Sequence, residues 1–334
     1  MRKGIVLVAN LNSQQYCENL VYSIRKCGCK LPIRLIHFGG KKINSKFLLN
    51  EVEFLTYDDF SDEAHSFIKK LSVVLTDCPM GFLYRFLAWF TDWDQFIYSD
   101  NDIVALMNWQ HLFDYAKDVD LVHADEEYTT KGKFNYNYPK LVDNIFGENS
   151  LKTAITAGHI LINKREKMIK DMLAAVDWFI ENPTIPKYHD QSLLHISSLI
   201  GDWKLLNLCK GPYNWLSSWS GDYTNSLDLI HAIQGVNFQS KQSNNPQLSH
   251  ISFEDKTLHQ SNNSIKKCNQ KISHLHYSGR GRIGMMAIDD LMLSKRSDKQ
   301  RMMFLFKTKI TDLFLINLAK DFTKKIKRKL NFYK

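Results

Sequence analysis

The sequence predicts an α/β protein whose central sheet is covered by helices on both faces. Three observations carry that expectation. Short β-branched and aromatic runs alternate with stretches of helical periodicity along most of the 334 residues. The composition, 44% hydrophobic and 24% charged, is that of a chain able to bury a large core. No run approaches the roughly 20 apolar residues that a membrane-spanning helix needs.

The elements follow in order. "IVLVA" at 5–9 reads as a buried strand, and "YCENLVYSIRKCG" as an amphipathic helix that stops at Gly28, a residue suited to the left-handed end of a helix. Further strands are expected at 33–38, 52–57, 96–99, 120–124, 158–163, 203–208 and 273–277. "KREKMIKDMLAAVDWFIENP" reads as a helix ending before Pro183. Strand and helix alternating in this way give a sheet with ligands at the carboxyl ends of its strands. The Asn-, Ser-, Gln- and Lys-rich stretch 235–271 is expected to be a variable loop, a candidate lid. There is no internal repeat.

Charge and cysteine content limit the function classes. Ten Lys or Arg stand against two Asp or Glu from Arg301 to Lys334, so this tail holds eight of the net +9 and the body is nearly neutral. In the tail Leu315, Ala319, Phe322, Ile326, Leu330 and Tyr333 recur at steps of three and four among lysines, the pattern of an amphipathic basic helix on an anionic membrane surface. No nucleic-acid motif accompanies the charge, and nucleic acid is not an expected partner. The six cysteines form no CxxC pair, which argues against a zinc site or a dense disulfide framework. "GIVLVA" is too short for a signal-peptide core, and a reducing cytoplasm is the expected compartment.

The chemistry concentrates in three stretches. "FIYSDNDIVAL" ends a buried strand on Asp100 and Asp102, with Asn101 between them. Residues two apart on extended backbone share a side, so the two carboxylates can converge while Asn101 faces away. Converging carboxylates need a positive partner, and Mg²⁺ or Mn²⁺ with oxygen ligands supplies one; a solvated turn is the ordinary alternative for such a pair alone. In "HLHYSGRGR", His276 offers an imidazole ligand, Gly279 lets backbone N–H groups approach an anion, and Arg280 and Arg282 can hold phosphate oxygens. "YHDQSLLH" places Asp190 and Gln191 at a helix N-terminus, where an aspartate is favourable in any case.

"FLYRFLAWF", "FIYSDNDIVAL", "TAGHILIN", "YHDQSLLH" and "HYSGRGR", in that order, resemble glycosyltransferase family 8, the retaining, metal-dependent enzymes of GT-A (Rossmann-like) fold that include bacterial lipopolysaccharide galactosyl- and glucosyltransferases. The resemblance covers most of residues 1–285, leaving 286–334 as a helical basic segment similar to the membrane-attaching tail of those enzymes. It implies that Asp100, Asp102 and His276 bind Mn²⁺ (or Mg²⁺), with the diphosphate of a UDP-sugar completing the shell. It places Gly279 and Arg282 on that diphosphate, Arg85 near the donor sugar, Gly158 and Asn101 in the donor site, and Ala9, Asn10 and Asn12 at the nucleoside. Asp190 would bind sugar hydroxyls, and Gln191 would face the side opposite the leaving group.

Several positions depart from the family. Asn10-Leu11-Asn12 replaces an acidic pair, Thr156 stands where asparagine is common, Ser192 where aspartate is, and Arg282 where lysine is. The first three leave the nucleobase contacts and the transferred hexose, Gal, Glc or GlcNAc, open. Gln191, a neutral amide, is a poor nucleophile, so same-face attack with the diphosphate as base is preferred over a covalent intermediate. The implied function is transfer of a hexose to a saccharide or lipid-linked acceptor in lipopolysaccharide- or capsule-type synthesis, at the inner face of a bacterial plasma membrane. The alternatives are a non-catalytic nucleotide-sugar or glycan-binding relative, and a basic peripheral-membrane or nucleic-acid scaffold built on an old fold.

Overall fold

Alternation within the strands builds two cores from one sheet. In β1 (Lys3–Ala9), Ile5, Leu7 and Ala9 face one side while Val6 and Val8 face the other, and every residue after Lys3 is buried. The computed structural model describes residues 1–76, 78–125, 135–187, 189–213, 215, 217–218 and 271–276, together with the backbone of 251–254, 257–261 and 267–270.

The main sheet has seven strands in the order β3-β2-β1-β4-β7-β6-β8. These are β2 (Ile33–His37), β3 (Glu53–Leu55), β4 (Gln95–Ser99), β6 (Leu121–His123), β7 (His159–Asn163) and β8 (Leu205–Asn207), numbered around a short β5 (Ile103–Ala105) that lies outside the sheet. β1, β2, β3 and β4 run parallel, β7 runs antiparallel to both β4 and β6, and β8 is parallel to β6. One reversed strand therefore makes the sheet mixed, and β4 sits at its centre between β1 and β7.

Helices cover both faces. On one lies α1 (Gln14–Lys26), whose Cys17, Leu20, Val21 and Ile24 pack on Ile5, Leu7, Leu35 and Ile97, with α2 (Lys46–Glu51) contributing Leu48. Ser45 caps α2 by accepting from Leu48 N, and α1 ends where Gly28 adopts φ 80°. The other face carries α3 (Asp62–Val74), α4 (Met80–Tyr84), α6 (Lys167–Glu181) and α7 (His189–Ile200), numbered around α5 (Pro139–Phe146). Phe67, Leu71, Met168, Met172, Leu193 and Ile196 close that core over Val6, Phe96, Tyr98 and Ile160. Among the described residues no helix is long and apolar enough to cross a membrane.

The α/β fold with a mixed central sheet is the one expected, and each of the eight expected strands overlaps an observed one. The 235–271 stretch differs from the expected loop. Within it β9 (Ile251–Glu254), β10 (Thr257–Ser261) and β11 (Lys267–Gln270) form an antiparallel three-stranded sheet. β-Branched and aromatic residues such as Ile251, Phe253 and Thr257, scattered among polar ones, suffice for short strands that pair with their immediate neighbours. Finally, β12 (His274–His276) pairs antiparallel with β5, setting His276 opposite Ile103 and Leu275 opposite Val104. That pairing joins the far end of the described chain to the end of β4. The basic tail 286–334 lies outside the described residues.

Candidate functional site

The carboxyl end of β4 is where the chain spends its buried charge. Asp100, Asn101 and Asp102 occupy the bend between β4 and β5 rather than an extended strand, and the bend turns both carboxylates toward β12. Asp100, Asp102 and His276 each offer one ligand atom, and the three atoms lie within 4.8 Å of one another. His276 Nε2 is 3.5 Å from Asp102 Oδ1. The backbone holds this arrangement: Asp100 N donates to Gly158 O (2.7 Å), and His276 N donates to Ser218 O (2.8 Å).

Arg85 ties this cluster to the next one. Its side chain is almost fully buried, with Nη2 donating to Asp100 Oδ1 at 3.1 Å and Nη1 lying 2.8 Å from Asp190 Oδ2. Nη1 also donates to Ala157 O at 3.1 Å, and the guanidinium lies over the rings of Tyr98 and Phe82. A buried cation between two carboxylates compensates charges that would otherwise be costly. Burial raises the Asp100 carboxyl above its ordinary range, with Arg85 opposing that rise and Asp102 adding to it. Burial alone would lower His276, but Asp102, Asp100 and Asp125 outweigh it and push the imidazole up to about 9.

The remaining residues singled out in the sequence fall into three groups. Gly158 packs against the cluster: a Cβ on it would lie 2.2 Å from His276 Cε1, so the imidazole occupies the space that glycine leaves. Gln191 lies beside Asp190 at the start of α7, and its buried Oε1 has no hydrogen-bond partner among the described residues. At the end of β1, Ala9 is buried and accepts from Phe38 N, while Asn10 caps the following turn by exchanging hydrogen bonds with Ser13. Asn12 is exposed. Asn101 turns toward β1, donating to Val8 O at 2.7 Å. Gly279, Arg280 and Arg282 lie outside the described residues. Arg85, Asp100, Asp102, Asp190 and His276 thus come together, with Gly158 and Gln191 alongside, Asn101 in the same bend with its side chain turned to β1, and Asn10 at the end of that neighbouring strand.

Sequence reasoning missed Asp125, one residue past the strand expected at 120–124. It is buried, accepts from Thr156 Oγ1 at 2.5 Å, and its other oxygen faces His274 Nε2 at 3.7 Å. Burial raises its carboxyl, with His276 and the Thr156 hydroxyl opposing the rise and the Asp100 charge adding to it. Behind it the His274 and His159 rings lie with centroids 3.9 Å apart, tilted by 31° to one another, and Trp109 meets both rings edge-on. Thr156 and Ser192, two of the departures from the family, both spend their hydroxyls on the protein: Ser192 Oγ donates to Asn135 O at 2.6 Å.

The donor set fits a hard divalent cation. Two carboxylates and an imidazole offer ligand atoms within 4.8 Å of one another, the oxygen and nitrogen donors such an ion takes, and His276 Nδ1 is left without a partner among the described residues.

The proteins this chain is similar to are glycosyltransferases. The mannosyltransferase family model Mannosyl_trans3 matches residues 2–117, from β1 past the Asp100–Asp102 bend. Among solved structures, galactosyltransferase LgtC in complex with donor and acceptor sugar analogs is 13% identical with a TM-score of 0.48, covering 89% of this chain and 99% of that one. The bifunctional glycosyltransferase WbbM is 13% identical with a TM-score of 0.42, covering 66% of this chain and 40% of that one. The glycosyltransferase GlyE of Streptococcus pneumoniae TIGR4 is 15% identical with a TM-score of 0.41, covering 62% of this chain and 45% of that one. This chain therefore spans less than half the length of WbbM or GlyE. No curated protein matches it. At such identities and scores the fold rests on the observed sheet order.

Proposed function

We propose that the chain is a retaining, metal-dependent glycosyltransferase of GT-A type that moves a hexose from a UDP-sugar to a saccharide or lipid-linked acceptor. The observation that carries this reading is the sharing of Asp100 between two charge clusters, the cation-ligand set with Asp102 and His276 and the Arg85–Asp190 pair. Leaving-group stabilisation and sugar positioning belong to adjacent halves of one transfer reaction, and here they meet on one carboxylate.

Asp100, Asp102 and His276 would hold Mn²⁺ or Mg²⁺, which as a Lewis acid stabilises the charge developing on a departing diphosphate. The protein's own groups do the rest. Arg85 fixes the Asp190 carboxylate so that its free oxygen can accept from sugar hydroxyls, and Gln191 presents an uncharged carbonyl at the same helix end. An amide there orients without forming a stable ester, which favours same-face attack by the acceptor hydroxyl, its proton passing to the leaving diphosphate. Gly279 and Arg282 are proposed to hold that diphosphate. The basic tail is proposed to attach the protein to the anionic inner face of a bacterial plasma membrane, where lipid-linked acceptors of lipopolysaccharide or capsule type reside.

The test is donor hydrolysis without acceptor, using UDP-galactose, UDP-glucose and UDP-N-acetylglucosamine with Mn²⁺, and GDP-mannose because of the mannosyltransferase match. One donor hydrolysed by the wild type, but not with EDTA or in Asp102→Asn, is the expected result. No turnover and no Mn²⁺-dependent nucleotide binding would overturn the reading. Deleting residues 315–334 should release the protein from anionic vesicles at low salt while sparing hydrolysis; unchanged vesicle binding would remove the tail from the proposal.

A further inference from the structure

Tyr98 lies two residues before Asp100 on the central strand, between the partners Val6 and Ile160, and only 2% of its surface is exposed. Its ring belongs to the apolar core closed by α3, α6 and α7. Its hydroxyl leaves that core at the strand end and donates to Asp100 Oδ1 at 2.6 Å. The same oxygen accepts from Arg85 Nη2 at 3.1 Å, whereas among the described residues Oδ2 has only the longer 3.5 Å approach of that guanidinium. Two strong donors thus occupy one oxygen of the carboxylate and leave the other available. Two donors on one oxygen restrain the carboxylate's rotation and disfavour chelation of a cation through both oxygens.

We propose that Tyr98 is a positioning residue for cation binding: its phenol pins Oδ1 of Asp100 so that Oδ2 alone is presented to an ion shared with Asp102 and His276. The proposal rests on the cation site described above. Residues that orient a metal ligand typically contribute a factor of about 10–100 to affinity, and Tyr98 has the placement of such a residue. The arrangement has a second consequence. Arg85 and Tyr98 share the oxygen they hold, and the guanidinium lies over the phenol ring, its Cζ 5.0 Å from the centroid, so each restrains the other against the strand end.

Tyr98→Phe removes the hydroxyl and keeps the ring. Titrated with Mn²⁺ alone, followed by calorimetry, the variant should bind about 10–100-fold more weakly than the wild type. The same substitution made in an Asp100→Asn background should add nothing to the loss. A lowered unfolding temperature with unchanged Mn²⁺ affinity would show a packing role only and overturn the proposal. Absence of Mn²⁺ binding by the wild type would overturn the cation site and this proposal together, whereas equal binding by wild type and variant overturns this proposal alone. A measurement without a deletion covers the case of a variant that does not fold. With 3-fluorotyrosine at position 98, the ¹⁹F resonance should move as Mg²⁺ is added; a resonance that stays in place while Mg²⁺ binds would overturn the proposal.

Discussion

Arg85 and Asp190 stand 105 positions apart in the chain and 2.8 Å apart in the fold, both buried, one from the 3-10 turn after α4 and the other from the first turn of α7. Their contact joins the two helices across the top of the sheet. Replacing Arg85 by Met keeps much of the volume and removes the cation, leaving Asp190 and Asp100 without their shared partner. Breaking a buried pair in this way costs about 3–5 kcal/mol, and urea denaturation should show a loss of that size. A loss below about 1 kcal/mol, the range of exposed pairs, would mean that solvent reaches the pair.

Gly158→Ala tests how closely the cation ligands are packed. The new Cβ would sit 2.2 Å from His276 Cε1 and 2.7 Å from Nδ1, so the imidazole must move. Mn²⁺ affinity should fall at least about tenfold, as when a ligand's support is lost, while the far-UV spectrum stays that of the wild type. Unchanged affinity would mean that His276 is not a ligand.

Ser192→Asp, which introduces the residue common at this position in the family the sequence resembles, should destabilise the fold. Ser192 is fully buried and donates to Asn135 O, so an aspartate there would set an unpaired charge against a carbonyl oxygen. A loss above about 3 kcal/mol is expected from the buried charge, against about 1 kcal/mol for Ser192→Ala. Denaturation of the two variants side by side decides it; equal small losses would place the side chain in an open site.

Stability should pass through a maximum near neutral pH when divalent ions are chelated. Burial holds His195 down to about 4, and His123 and His159 down to about 3, from an ordinary 6.5. Below 6.5 the unfolded chain takes up protons that the folded one refuses, so stability falls as pH drops toward 4, by up to about 1.4 kcal/mol per pH unit for each imidazole. His276, pushed up to about 9, acts in the opposite sense: its contribution is complete below 6.5 and is lost as pH rises through 9. Urea midpoints in EDTA from pH 5 to 9.5 should trace both limbs, and His276→Gln should flatten the alkaline one alone. An alkaline limb that survives the substitution would assign it to another group.

The sequence made the sheet legible because β1 and β7 are near-continuous apolar runs and the other strands still carry short β-branched, leucine or aromatic runs between helical stretches. β5 was missed because three residues after a pair of aspartates carry no periodicity, and their partner β12 lies some 170 residues away. The Asp100–Asp102 pair, His276, Arg85 and Asp190 were each visible as residues, yet only the resemblance joined them; spacing along the chain says nothing of a contact such as that of Arg85 with Asp190. Asp125 was passed over because a single aspartate after a strand looks like any turn residue, and its significance comes from burial beside Thr156 and His274. Tyr98 read as an ordinary strand aromatic, since the direction of a hydroxyl leaves no trace in a pattern of apolar residues.

The pairing of β5 with β12 has a bearing on the order of assembly. The seven-stranded sheet is complete once β8 has been made, at Asn207, but its cation cluster lacks a third member until His276 has been added almost 70 residues later. Because a chain emerges from the ribosome N-terminus first, a nascent protein can fold its sheet and still have only Asp100 and Asp102 facing one another. On the proposed function, tight cation capture would be a late event in biogenesis, and a product cut short before β12 would lack the third member of the cluster.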